Sequence, residues 1–374
     1  MGKKKNGRLK YFEIFIITVF IFMFLGSCNK KRSDDKNVII KDNPKAYTKW
    51  EEVFSDHKII KFKGLSEEDE LVDVRGLAIN SRGEYFIQDS QKRSIYYFNN
   101  KGVFQRKIVR DGEGPGEAIM PSVPRFDSKD NIYIYDFLKK KIIIFNFPDY
   151  KYKREFKVMN TFVDFFISND NKIIATTPYT PDNYTIHKYD MNGKMIDSAF
   201  MPDDIPFKNF ITVFSLFRIS ELPEKNGFLY IFPNKYKIYQ YDYNLKLVKT
   251  YTVEKETEYF PFKGHFPYGE TPYELTKKNQ KWWESKYIIW FAKEINKKYF
   301  FLYLIKTKKY NIEDSFINIH TFNGKTIAKG VRIPFKGYIR YVKNGYIYVV
   351  EADRVDERTG DVVPQVIHRY RFRL

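Results

Sequence analysis

Four arginines stand in short apolar settings along the sequence: Arg75 in DVRGLA, Arg125 in VPRFD, Arg218 in LFRIS and Arg340 in YIRYV. A guanidinium is planar, permanently charged and able to grip a carboxylate, phosphate or sulfate through two parallel hydrogen bonds. Brought together by the fold, the four would bind an anion. Paired one by one with acids such as Asp89 and Asp136, they would only neutralise charge. Trp282, Trp283, Tyr287 and Trp290 offer a second kind of contact, stacking on a sugar ring, although a helix packed on a larger body needs the same aromatics.

A third candidate is RDGEGPGEAIMPS, Arg110 to Ser122, with Gly112, Gly114, Gly116 and Pro115 around Glu113 and Glu117. Glycine-rich phosphate loops lead into a helix N-terminus, whereas this stretch runs through Met120 and Pro121 into a strand-like segment. It reads as a sharp connection between elements, with Glu117 as a contributor to a binding face. Other chemistry is sparse. The five histidines are scattered without metal-ligand spacing, and no G-x-S-x-G elbow, P-loop or H-E-x-x-H occurs. No catalytic residue and no cofactor is expected; Ca²⁺ could be held by carboxylates from separate elements, but no motif supports it.

The elements that position these residues are visible as a repeat. Ser81–Val109 aligns with Ser128–Val158: each has a turn, a strand ending in aspartate, a basic loop, an aromatic strand ending in Phe-Asn, another turn and a further strand. The strand-end residues Asp89 and Asp136 lie 47 positions apart. Weaker copies begin near Ser168, Glu224, Lys298 and Lys343, making six units, and an apolar segment ahead of each supplies a fourth strand. Four-stranded units repeated six times predict an all-β, six-bladed β-propeller of antiparallel blades. The 30 Tyr and 35 Phe suit pleated, half-buried surfaces. Between the fourth and fifth units, residues 254–296 are too long for a connection, and TPYE at Thr271–Glu274 is a capping box with proline at the first helical position; a short helical insert is expected there.

The pairing of YFIQDSQKRSIYYFNNKGVF with GEGPGEAIMPS and then NIYIYDFLKKKIIIFN resembles the NHL-repeat-like six-bladed β-propeller lipoproteins of Bacteroidetes. That resemblance implies the fold and an envelope location, and no particular activity.

The N-terminus agrees with an envelope location. Five bases in Met1–Lys10 precede an apolar run, Ile14–Leu25, too short to span a bilayer comfortably. The run ends in LGSC, which resembles the lipobox of bacterial lipoprotein signals and implies cleavage before Cys28 and lipid on its sulfur. The sole cysteine, Cys28, excludes an internal disulfide framework. The expected organisation is a signal peptide over 1–27, a lipidated N-terminus and flexible tether over 28–57, and the propeller over 58–374. Ser33-Asp34-Asp35 resembles acidic export signals that place lipoproteins on the outer surface of the outer membrane, although the preceding basic residues depart from that pattern.

Removing the five bases and one acid of the signal leaves 60 basic and 45 acidic residues, a net charge of +15. The lysines alternate with aromatics, as on the wet faces of strands, and no nucleic-acid-binding motif accompanies them. The function expected is an envelope-anchored binding module for an extracytoplasmic glycan, peptide or partner protein, with membrane contact through the lipid. A lyase- or lactonase-type propeller enzyme acting on an anionic saccharide, and a structural envelope scaffold, are the alternatives.

Overall fold

The computed structural model describes residues 36–177, 184–200, 218–231, 236–254, 287–308, 311–351 and 366–374. The chain divides into Met1–Lys36 and Asn37–Leu374, and the architecture below is that of the second unit. It begins with β1 (Lys36–Ile40), a one-turn helix α1 (Trp50–Val53) and β2 (Phe54–Ile60). Then come the blades: β3–β6 (Val74–Ile79, Tyr85–Asp89, Ser94–Phe98, Phe104–Val109), β7–β10 (Arg125–Phe126, Ile132–Asp136, Lys141–Asn146, Lys151–Lys157) and β11–β14 (Asp164–Ile167, Ile173–Thr176, Tyr184–Tyr189, Met195–Phe200). The fourth is β15–β18 (Arg218–Leu222, Gly227–Ile231, Lys237–Asp242, Leu247–Val253) and the fifth β19–β22 (Ile288–Asn296, Tyr299–Lys308, Asn311–Thr321, Thr326–Arg332). The last holds β23 (Gly337–Lys343), β24 (Tyr346–Glu351) and β25 (Ile367–Phe372).

Six separate antiparallel sheets result, ordered along the chain within each blade. The fold is therefore the six-bladed propeller of four-stranded blades that the repeat predicts. In the last blade the order is β2-β25-β24-β23, so the outermost strand comes from the N-terminal side and closes the ring. Phe54 faces Phe372 and Ile60 faces Ile367 across that seam. Trp50 packs on Phe54 and, edge-on, on Tyr370, with ring centroids 4.4 and 5.1 Å away.

Between neighbouring blades the sheet faces are filled by aliphatic and aromatic side chains. Tyr96, Tyr135, Tyr230, Tyr303, Phe86, Phe98 and Phe228 are fully buried. Each such ring contributes about 2–3 kcal/mol through the apolar area it removes from water. First-to-second-strand turns repeat one device, a residue in the left-handed region: Gly83, Asp130, Asn171 and Asn226 occupy it in the first four blades. Only glycine, or Asn and Asp through local hydrogen bonds, adopts that conformation cheaply.

Two expected boundaries need correction. The flexible tether expected over 28–57 does not hold from residue 36 on: β1 is a fifth strand on the outer edge of the fourth blade, beside β18, and Lys41 and Tyr47 bridge to Lys325 and Ala328 of the fifth. Ile40, Trp50, Val53 and Phe54 are buried, so this segment contributes core. Its polar residues mask the aliphatic run NVII, which is long enough for an edge strand. The insert over 254–296 likewise ends earlier than expected, because Ile288–Asn296 form β19, the innermost strand of the fifth blade. Tyr287 and Trp290, grouped above with the aromatics of a packed helix, fall respectively beside and in this strand. The body of the expected helical insert, 255–286, lies outside the described residues, as do Cys28, Trp282 and Trp283.

Candidate functional site

The first strand of every blade is innermost, and successive first strands touch around the axis: β7 with β11, β11 with β15, β15 with β19, β19 with β23, and β23 with β3. Between the first two blades, the loop before β7 docks instead on Gly76, where an added Cβ would lie 2.2 Å from Val123. Polar residues on these strands therefore meet one another although they are far apart in sequence.

Asp89 and Asp136 behave alike. Each is completely buried at the end of the second strand of its blade. Asp89 accepts main-chain N–H bonds from Val72 (2.7 Å), Asp73 (3.3 Å) and Lys92 (3.0 Å). Asp136 accepts from Ile119 (3.0 Å), Met120 (3.3 Å), Leu138 (3.1 Å) and Lys139 (3.4 Å). Both carboxylates tie the segment entering a blade to that blade's central turn. Glu117 plays a related part inside the glycine stretch, accepting from Gly114 N at 2.9 Å, and a Cβ on Gly112 would fall 2.1 Å from its Oε2. Both oxygens of Asp89 and of Asp136, and Oε2 of Glu117, accept main-chain N–H groups, which gives the three acids a structural part at the blade junctions.

The arginines divide into two groups. Arg75, exposed on β3, holds Asp73 at 2.8 Å and acts with it on the charge of Arg340. Arg340 lies 4.3 Å from the ring centre of Tyr338; its Nε is buried and has no hydrogen-bond partner among the described residues. Burial pushes its pKa down to about 10.

Arg125 and Arg218 meet at Asp164, the first residue of β11. Arg125 donates to Asp164 Oδ1 at 2.5 Å and to the carbonyl of Phe165 at 2.7 Å. Asp164 also accepts from Ile219 N at 3.4 Å. Burial works against its charge, but Arg125, Arg218 and Lys293 outweigh it and hold the carboxyl below the usual aspartate value. Among the described residues Arg218 donates to the carbonyl of Val163, at 3.4 Å, and lies 5.5 Å from the centre of the Trp290 ring.

Lys293 on β19 is the residue that sequence reasoning missed. Burial, then the charge of Arg125, pushes its ammonium down to about 8, although Asp164 and Glu221 pull the other way. Glu221 on β15 is bonded by the Tyr243 hydroxyl at 2.9 Å, and burial raises its pKa. Arg218, Glu221, Trp290 and Lys293 all keep part of their surface open to solvent while protein encloses them, as expected of residues facing an axial channel. The signal for Lys293 and Trp290 was present as the strand IIWFAKEIN, but the adjoining helical pattern absorbed it.

The arrangement can bind and orient an anion, and it can hold two proton-transfer groups with opposed shifts. Among the described residues no group of three or more His, Cys, Asp or Glu is placed to hold a metal ion. No described helix is long and apolar enough to cross a membrane.

Similar proteins agree on the architecture. The profile of DUF5128, a family described as a 6-bladed beta-propeller, matches residues 27–318. A Bacteroides fragilis protein described as exported is 14% identical, with 91% of this chain and 99% of that one covered at a TM-score of 0.61. A member of the DUF4221 family from Bacteroides vulgatus is 13% identical, with 85% and 98% covered at a TM-score of 0.53. No curated protein matches the sequence.

Proposed function

We propose that this chain, which belongs to the DUF5128 family of six-bladed β-propellers, is an envelope-anchored binding module that takes an anionic extracytoplasmic ligand at its axis. The observation that carries the reading is the charge imbalance around Asp164. Three cations from different blades, Arg125, Arg218 and Lys293, gather on two carboxylates, one engaged by Arg125 and the other with a raised pKa. An enclosed excess of positive charge is costly unless a counter-charge arrives. An anionic glycan, an acidic peptide or an acidic surface of a partner protein would supply it.

The resemblance to Bacteroidetes lipoproteins and the LGSC motif at Cys28 support placing the module in the envelope, lipid-anchored at the outer membrane on its periplasmic or its surface side, and Ser33-Asp34-Asp35 leans the reading to the surface. With β1 starting at Lys36, residues 28–35 would be the whole of the tether. Binding of the chain from residue 29 to a glycan array containing neutral, carboxylated and sulfated members tests the glycan version of the reading. Retention of acidic members is the expected result; an array with no bound glycan of any kind would sink it.

One observation favours an enzyme as a second reading. Lys293, pushed down to about 8, and Glu221, pushed up, are the kind of pair that can divide the roles of base and acid. Turnover of acidic oligosaccharides into unsaturated or hydrolysed products, followed by ultraviolet absorbance and chromatography, separates catalysis from binding.

A further inference from the structure

Enclosed lysines elsewhere in the molecule have partners. Lys141 is 3.0 Å from Glu155, Lys188 bonds Asp170 at 3.0 Å and the Tyr243 carbonyl at 2.8 Å, and Lys343 bonds the carbonyls of Ile79 and Asn80 at 2.9 and 2.6 Å. Among the described residues Lys293 has neither an ion pair nor a hydrogen bond, and Arg218 has one long bond to a carbonyl. Both act electrostatically on Asp164, whose oxygens are already taken by Arg125 and by main-chain N–H groups of Phe165 and Ile219. Trp290, on the same strand as Lys293, lies under the Arg218 guanidinium.

We propose that Arg218, Lys293 and Trp290 form an acidic-sugar subsite: Arg218 and Lys293 hold the carboxylate of a uronic acid, and the sugar ring packs against the part of Trp290 that Arg218 leaves open. The subsite rests on the binding-module reading and names its ligand class. A partly open aromatic ring beside paired cations matches a ligand with an apolar ring face and one anionic arm. The charge count favours a monoanion: three cations face two carboxylates, so one further unit charge neutralises the cluster. A phosphate near neutral pH would overshoot.

The test is calorimetric titration of the full-length chain in detergent with methyl glucuronide, methyl glucoside, glucose 6-sulfate and glucose 6-phosphate. The glucuronide should bind and the glucoside should not. Lys293→Met and Arg218→Met should each weaken the glucuronide by about tenfold or more, the usual consequence of losing a charge-assisted contact. Trp290→Ala should weaken it too. Lys293→Met removes an enclosed charge that has no ion pair among the described residues and should fold at least as well as the native chain, which thermal unfolding checks; a misfolded variant passes the test to Trp290→Ala. Lys293, faced by Arg125, Arg218, Asp164 and Glu221, loses its proton near pH 8, so native affinity should fall above pH 8 and that of Lys293→Met should not. Absence of glucuronide binding, native affinity in Lys293→Met, or tighter binding of the sulfate or phosphate overturns the proposal. If the array retains glycans that Lys293→Met still binds as well as the native chain, the binding-module reading stands and the subsite falls.

Discussion

Asp136, itself fully buried, gathers four main-chain donors from two loops, and losing it would leave these partly buried donors without their acceptor. Each buried donor left without a partner costs about 1–3 kcal/mol, partly relieved by water entering. Asp136→Ala should therefore lower unfolding stability by about 3 kcal/mol, and Asp136→Asn, which keeps one acceptor, by less. Urea midpoints at constant slope measure both. His320 gives a second prediction. It is fully buried beside the Tyr236 hydroxyl, 2.7 Å away, and burial, aided by the charge of Lys329, pushes its pKa down to about 3. The unfolded chain binds a proton at this histidine below about pH 6.5, which the native state refuses. Stability therefore falls as pH drops from about 6.5 towards 3, by about 1.4 kcal/mol per unit once well inside that window. His320→Gln should flatten that part of the acid dependence in unfolding midpoints taken at pH 7 and pH 4.5. At this scale the sequence made the repeated strand-end aspartates visible but not their use, because a buried acceptor of N–H bonds and a ligand-binding carboxylate look alike in one dimension.

At the level of elements, closure decides whether six blades make one body. The last blade takes β2 from the other end of the chain, with Phe54 and Trp50 seated on Phe372 and Tyr370. A chain beginning at Lys61 would leave β25 with an open edge and these rings in water. It should lose cooperative urea unfolding and bind a hydrophobic dye, whereas a chain beginning at Lys36 should unfold in one step. The blade repeat was legible because side-chain alternation and turn residues are local properties, as the left-handed positions Gly83, Asp130, Asn171 and Asn226 illustrate. The closing strand was not, since β2 has no partner near it in sequence and reads as a polar lead-in. Similarly, β19 was hidden by helix signals ahead of it.

For the whole molecule, positive charge is spread over the blades but concentrated in effect at the axis, where protein excludes much of the solvent that would screen it. If Cys28 carries the lipid, Cys28→Ala should leave the membrane fraction for the soluble fraction with its unfolding midpoint unchanged; continued sedimentation with membranes would contradict the anchor. The sequence by itself determined the number of blades, their internal strand order and the turns between strands, because these depend on periodicity and on residues with special backbone freedom. It also set Arg125 and Arg218 in short apolar segments and marked them as candidate anion contacts. Only the tertiary structure decided that these two share Asp164, that Lys293 and Trp290 join them, and that Arg340 lies apart with Arg75. The physical reason is that every contact at the axis is made between blades. Its geometry depends on how six sheets twist and close into a ring, and the spacing of residues along one strand carries no record of it.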